Sequence, residues 1–288
     1  MKPTYGKFTC VGTVVGTLNN NFYTFKEDDK KQPWRKITCS IKLSDNSFVY
    51  VELLGVKNKK INKIFRNKTT GKYVSTERKE VNWVDRYSNL ENYELMMPVN
   101  VKLSASYEES LLEYDAAELL AENLKDGMKV FIRGNLDFIV HKDKVYDKYV
   151  IKELSVIDDR QVRSIGNGQQ AYFQQEIVFD SYDEGKLHAL IIKKNKDNIN
   201  KIPFSFNLSE NGELINYISS LRKRDVLMVH GDIVYSVLIQ DDSIAGLKKE
   251  LLVTGCSEIS HHYSEEDFEN QDPFDYVDDE VIDDEFDF

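Results

Sequence analysis

The sequence predicts a mainly β protein with a few helices, built as two five-stranded barrels in tandem and followed by an acidic tail. Three observations predict this. Segments alternating apolar and polar residues at period 2 recur in the first half of the chain. Each half runs in the order three strands, one helix, two strands. Val130–Phe138 (VFIRGNLDF) aligns with Leu227–Tyr235 (LMVHGDIVY), and each lies just after a helical stretch.

The elements follow in order. Lys7 to Leu18 is rich in Thr and Val. From Arg35 to Leu43, Ile37, Cys39 and Ile41 alternate with Lys36, Thr38, Ser40 and Lys42, the mark of a half-buried strand. Ser44-Asp45-Asn46-Ser47 is turn chemistry, and Phe48 to Leu54 is the returning strand. Glu108 to Leu124 places Leu111, Leu112, Ala116, Leu119, Leu120 and Leu124 at helical spacing, with Gly127 beyond the end. Met128–Phe138 and Val145–Ile157 are strands again. This order is that of the OB-fold, a partly open Greek-key barrel. The second half repeats it with Ala171–Phe179, Lys186–Lys194, Pro203–Leu208, a helix over Glu213–Leu221, Asp225–Tyr235 and Glu250–Ile259. The expected domains are 1–160 with a basic aromatic insert at 56–90, 170–260, and a disordered tail at 264–288. The linker is expected near Asp158 to Gln170, where Gly166-Asn167-Gly168 sits.

Composition narrows the function. The 288 residues are 41% hydrophobic with a net charge of −11, which fits a chain able to bury a core. No apolar run approaches the ~18 residues needed to span a bilayer, and the first residues lack a secretory apolar stretch, so a cytoplasmic protein is expected. Three scattered cysteines exclude a disulfide framework and a CxxC-type zinc site. There is no phosphate-binding GxxxxGK[ST] run, and the GxGxxA match at Gly166–Ala171 leads into a strand rather than a helix. No metal, cofactor or catalytic constellation is expected, and the chain reads as a binding protein rather than an enzyme. The charge is segregated. Residues 265–288 carry thirteen carboxylates and no base, while 1–264 is net +2. An acidic block of this kind is an interaction tail, and its spaced rings, ending in Phe286 and Phe288, suit a short recognition peptide.

The positive signal lies in 56–90, which holds ten basic and three acidic residues with Phe65, Tyr73, Trp83 and Tyr87 between them. Bases of this kind neutralise a phosphate backbone, and rings stack on unpaired nucleobases, so their combination favours a single strand. The same residues would also suit a solvated basic loop with structural rings. Strand parity adds Trp34 and Lys36 on the first outward face, Phe48 and Tyr50 on the next, and Phe131 and Arg133 on the fourth strand. The predicted strand-binding set is Tyr23, Trp34, Lys36, Phe48, Tyr50, Lys57, Lys59, Lys60, Lys63, Arg66, Tyr73, Trp83, Arg86, Phe131 and Arg133. The second half lacks this pattern.

On these features the chain resembles the OB-fold single-stranded DNA-binding proteins, particularly those of bacteriophages. The resemblance rests on the strand order with Gly134, the ring-and-cation face at Trp34, Lys36, Phe48 and Tyr50, and the close in Asp283-Asp284-Glu285-Phe286-Asp287-Phe288. It implies sequence-independent protection of single-stranded DNA in replication, recombination or repair, with partner enzymes recruited by those last six residues. Tethered near a cationic groove, the tail is also expected to compete with DNA. The alternative is an adaptor that holds a replication or recombination enzyme and has little DNA affinity. Bacterial members usually have one barrel and a long Gly/Gln/Pro-rich linker, whereas here a second barrel is expected and the linker to the tail is very short, so homotetramer formation is not carried over.

Overall fold

The computed structural model describes residues 1–27, 32–66, 73–91, 93–165, 168–195, 198–240 and 243–269. The predicted linker residues Gly166 and Asn167 and the tail beyond Glu269 lie outside them. The chain forms β1 (Gly6–Val15), β2 (Tyr23–Lys26), β3 (Trp34–Ser44) and β4 (Ser47–Val56). The insert adds β5 (Lys60–Arg66), β6 (Tyr73–Asn82) and β7 (Tyr93–Leu95), followed by the hairpin β8 (Val99–Ser104) and β9 (Tyr107–Leu111). Then come α1 (Glu113–Asn123), β10 (Lys129–His141), β11 (Lys144–Val156) and α2 (Asp159–Ser164). The second half is β12 (Gln170–Asp183), β13 (Lys186–Asn195), β14 (Asn198–Leu208), α3 (Gly212–Ser220), β15 (Asp225–Gln240) and β16 (Ser243–Cys256). The described chain ends with β17 (His261–His262) and α4 (Glu266–Glu269).

Two OB-fold barrels result. In the first, β1 pairs with β3, β3 with β4, and β10 with both β11 and β1, all antiparallel. A parallel contact of β4 with β11, at Val51/Tyr149 and Glu52/Val150, closes the ring. The second barrel repeats each pairing with β12, β13, β14, β16 and β15, closed by Asn207/Leu252 and Leu208/Val253. Side chains on the inner walls fill the core, including Phe8, Ile37, Cys39, Ile41, Val51, Ile132 and Ile151. Ala116, Ala117 and Leu120 of α1 join them. Burying each large apolar side chain is worth about 1.5–3 kcal/mol. Gly55 lets α1 approach β4, since a Cβ there would lie 2.0 Å from the Tyr114 amide nitrogen.

The first strands join the barrels. β1 pairs antiparallel with β12, and Phe8 lies opposite Phe173. Phe8 also faces Gly134 on β10, and Phe173 faces Gly231 on β15. The aligned glycines therefore sit at equivalent ladder positions, each opposite one of the two facing phenylalanines. Each glycine also marks a register shift, at Arg133/Gly134 and His230/Gly231. The β10–β11 and β15–β16 hairpins each reach the opposite barrel. On one side, the Phe138 ring is 4.7 Å from Phe204 and Asp137 is 2.8 Å from Lys193. On the other, Lys249 lies 2.6 Å from Asp147 and 4.7 Å from the Tyr149 ring centre.

Some elements differ from expectation. Tyr107–Leu111 is a strand paired with β8, with Leu111 opposite Val99, so the helix begins at Glu113 rather than near 108. The β8 partner has only six residues, too few for its alternation to outweigh the Leu-rich run beside it. The expected linker contains α2, whose first turn is held by an Asp158–Gln161 capping box.

Gly134→Ala and Gly231→Ala are expected to destabilise the protein by about 2 kcal/mol or more in chemical denaturation. Each new Cβ would meet a carbonyl oxygen at 1.9 Å, that of Val150 or Leu252. Gly212→Ala, with nothing within 4 Å, is the control and should leave the midpoint unchanged or raise it.

Candidate nucleic-acid interface

Closure of the first barrel turns Ile37, Cys39 and Ile41 of β3, and Val49, Val51 and Leu53 of β4, inward. The alternate residues form an outer face with cross-strand pairs Trp34/Val56, Lys36/Leu54, Thr38/Glu52, Ser40/Tyr50 and Lys42/Phe48. β2 extends it, with Thr24 opposite Lys36 and Lys26 opposite Trp34. Tyr50 is 62% exposed and Leu54 41%. Trp34, Lys36 and Phe48 are half-buried among their neighbours. Among the described residues, Glu52 is the carboxylate at the centre of this face. Its oxygens lie 3.5 Å from Lys36 Nζ and 3.2 Å from Lys148 Nζ on β11. Lys42 reaches Asp45 in the turn at 2.8 Å. Trp34, Lys36, Phe48 and Tyr50 thus come together as predicted. Lys26 and Lys148 join them without having been singled out. The pairing of the short β2, and the parallel register of β11, are long-range features that β3 alternation alone does not announce.

Tyr23 does not share this face. It lies opposite Ile37 and packs against the core, 5.5 Å from the Phe25 ring. Burial raises its phenol pKa, with Arg35 opposing.

The insert is a three-stranded sheet in the order β6–β5–β7. Lys57, Lys59 and Lys60 are exposed where it leaves β4, and Lys60 pairs with Glu80 at 2.6 Å. Arg78 and Lys79 are also exposed on β6. Lys63 is 1% exposed and donates to the backbone carbonyls of Asp85 and Ser88. Burial, with the Lys79 charge nearby, holds its ammonium below the usual lysine range. Lys63 therefore fastens the insert's own turn and offers no phosphate contact. Arg66 and Tyr73 face each other in the β5–β6 ladder, and their side chains lie outside the described residues.

Trp83 and Arg86 dock the insert onto α1. Trp83 meets the Tyr114 ring edge-on at 5.6 Å. The Arg86 guanidinium sits 4.7 Å from the Trp83 ring and grips Asp115 through Nε and Nη2 at 2.8 and 3.2 Å. Such bidentate bonds are strong and directional. Tyr87 donates to the same carboxylate at 2.6 Å, and burial together with that bond pushes its phenol well up. Burial and a bond to Glu27 likewise push Tyr114 up to about 12.

Phe131 and Arg133 occupy another wall. They lie on β10, which β1 separates from β3 and β11 separates from β4. Arg133 stacks 4.8 Å from the Phe131 ring and faces Glu153 at 3.7 Å. Outward parity on a closed barrel is radial, so shared parity did not make one platform.

The second barrel differs where it corresponds. Counting along the ladders from Glu52/Val150 and Asn207/Leu252 matches Tyr50 with Ser205 and Ser40 with His188. These two line a cleft of about 520 Å³ with Asp180, Ser181, Asp183 and Phe204. The His188 ring bridges Ser205 Oγ at 2.8 Å and Asp183 at 2.9 Å. Among the described residues, this wall holds no stacked ring-and-lysine pattern.

The start of the acidic segment is fastened to the second barrel. Tyr263 is buried with Val178, Ile192 and Val226, and Phe268 packs against this cluster. Phe268 lies 4.6 Å from Lys201 Nζ and 5.4 Å from the Arg224 guanidinium, and Glu265 pairs with Arg224 at 2.8 Å. The predicted partner residues Asp283, Asp284, Glu285, Phe286, Asp287 and Phe288 lie outside the described residues. Among the described residues, no group of three or more His, Cys, Asp or Glu side chains is placed to hold a metal ion. No described helix is long and apolar enough to cross a membrane.

Comparison with solved structures finds similarity to the wild-type single-stranded DNA binding protein from Thermus aquaticus, at a TM-score of 0.41 and 12% identity. That overlap covers 91% of this chain and 97% of the other. A deletion mutant of the same protein matches with a TM-score of 0.41 and 12% identity, over 92% and 100% of the two chains. No curated protein sequence matches significantly. The family model described as YorF matches residues 73–272, from the insert through the second barrel. That span is more than half of the chain, and the chain belongs to the YorF family.

Proposed function

We propose that this protein binds single-stranded DNA along the outer face of β2, β3 and β4, in the service of DNA replication, recombination or repair. The observation that carries this reading is the gathering of Trp34, Phe48 and Tyr50 with Lys26, Lys36, Lys42 and Lys148 on one wall of the first barrel. Lys26, Lys42 and Lys148 neutralise phosphates, with Lys57 and Lys59 continuing the path toward the insert. The rings stack on bases and tolerate any sequence, each worth about 1–3 kcal/mol. Duplex DNA hides its base faces and gains only the charge contacts. Trp83, Arg86 and Lys63 support the insert in this reading, and Phe131 and Arg133 stand apart. Residues 270–288 form the partner-binding tail, which recruits replication or recombination enzymes through its carboxylates and its rings at Phe286 and Phe288. One observation favours the adaptor reading for the second barrel, namely the carboxylate-lined cleft at His188 and Ser205.

Trp34→Ala and Tyr50→Ala should each weaken oligo-dT binding about 5- to 150-fold, while Phe131→Ala should stay within two-fold of wild type. With three to five lysines engaged, log affinity should fall against log salt with a slope of roughly −2 to −3.5. Fluorescence titration across a salt series checks both, and equal affinity for duplex and single strand would contradict the reading.

Removing residues 270–288 should leave the melting temperature unchanged, because Tyr263 and Phe268 keep their packing. It should tighten DNA binding at low salt, where nine carboxylates of the removed segment compete most, and abolish capture of a partner enzyme. Unchanged affinity at low salt would rule out competition by the tail.

A further inference from the structure

Resting on the single-strand reading above, we propose that the Lys36–Glu52 pair reads guanine at one position of the bound strand. A carboxylate at the centre of a phosphate-binding wall repels phosphate, so its place there calls for another partner. Glu52 projects from β4 between Tyr50 and Leu54, with Thr38 directly across on β3. Its side chain is 19% exposed. Its contacts to Lys148 at 3.2 Å and Lys36 at 3.5 Å are longer than close charge-assisted bonds of about 2.7–2.9 Å. A carboxylate has about four acceptor sites, and among the described residues these two ion pairs occupy one site on each oxygen.

The pair presents two acceptors beside one ammonium donor. An unpaired guanine offers the complement on its Watson–Crick edge: N1–H and an N2 amino hydrogen, side by side, next to the O6 acceptor. Glu52 accepts the two N–H groups and Lys36 donates to O6. Cytosine and adenine offer the carboxylate a single amino group. Thymine offers N3–H between two carbonyl oxygens that repel it. Unpaired bases are read on this edge once they are splayed from a stack. Tyr50 lies two residues along the same strand face, a backbone rise of about 6.6 Å, and its exposed ring supports the base whose edge reaches Glu52. The track remains sequence-tolerant elsewhere, because its other contacts are rings and lysines.

The test uses the full chain and three oligonucleotides: oligo-dT, the same strand with one central dG, and the same strand with one central deoxyinosine, which lacks the N2 amino group. Anisotropy competition should place the dG strand about five-fold or more tighter than oligo-dT, with deoxyinosine between them. Glu52→Gln should abolish the difference while keeping or raising oligo-dT affinity. Glu52→Asp keeps the charge but withdraws it by one methylene, and should also lose the preference. If Glu52 only neutralises its lysines, Glu52→Gln raises affinity for all three strands alike and Glu52→Asp changes little, which would overturn the inference. Equal wild-type binding of dG and dT strands would overturn it too, while leaving the single-strand reading intact. Failure to bind any strand would sink both.

Discussion

The parallel pairing of β4 with β11 is the contact on which the rest depends. It closes the first barrel at Val51/Tyr149 and Glu52/Val150, and closure fixes which side of β4 faces the core. Since successive strand side chains point to opposite faces, a one-residue slip would bury Tyr50 and Glu52 and expose Val49, Val51 and Leu53. The outer wall of rings and lysines is therefore a consequence of how the core is filled. The same closure brings Lys148 beside Glu52, so the electrostatics of the wall are set by a long-range ladder rather than by any local motif.

Duplication gives this scaffold a second barrel without giving it a second copy of the wall. Phe8 and Phe173 meet across the joining strands, and Gly134 and Gly231 admit equivalent close approaches of β11 and β16. The cores match because packing constrains both. The outer walls diverge because solvent-facing positions are free to vary: Ser40 and Tyr50 on one barrel correspond to His188 and Ser205 on the other. The second barrel uses a different outer surface to hold the chain's own Tyr263 and Phe268. Arg224 and Lys201 are engaged there by Glu265 and Phe268, which places the start of the acidic segment on the second barrel.

Much of the fold was legible in the sequence. The alternation of Ile37, Cys39 and Ile41 located a strand and its buried face, and the Gly134/Gly231 repeat located equivalent strands ninety-seven positions apart. Half of the ring-and-cation platform followed from the same parity. The remainder depended on partners far along the chain. Lys63 reads as one more surface lysine until the carbonyls of Asp85 and Ser88 enclose it. Trp83 and Arg86 read as binding residues until α1 supplies Tyr114 and Asp115. Phe131 and Arg133 have the right parity but stand on a wall that barrel closure turns elsewhere. Charge and aromaticity count the groups in a segment, whereas tertiary pairing decides which of them meet solvent.

The most direct test of the central claim is photo-crosslinking of a halogenated single-stranded oligonucleotide to the full chain, with the adducts mapped by mass spectrometry. Adducts are expected at Trp34, Phe48 and Tyr50, all on one wall of the first barrel. Adducts confined to Phe131 or to the second barrel, with none on that wall, would contradict it.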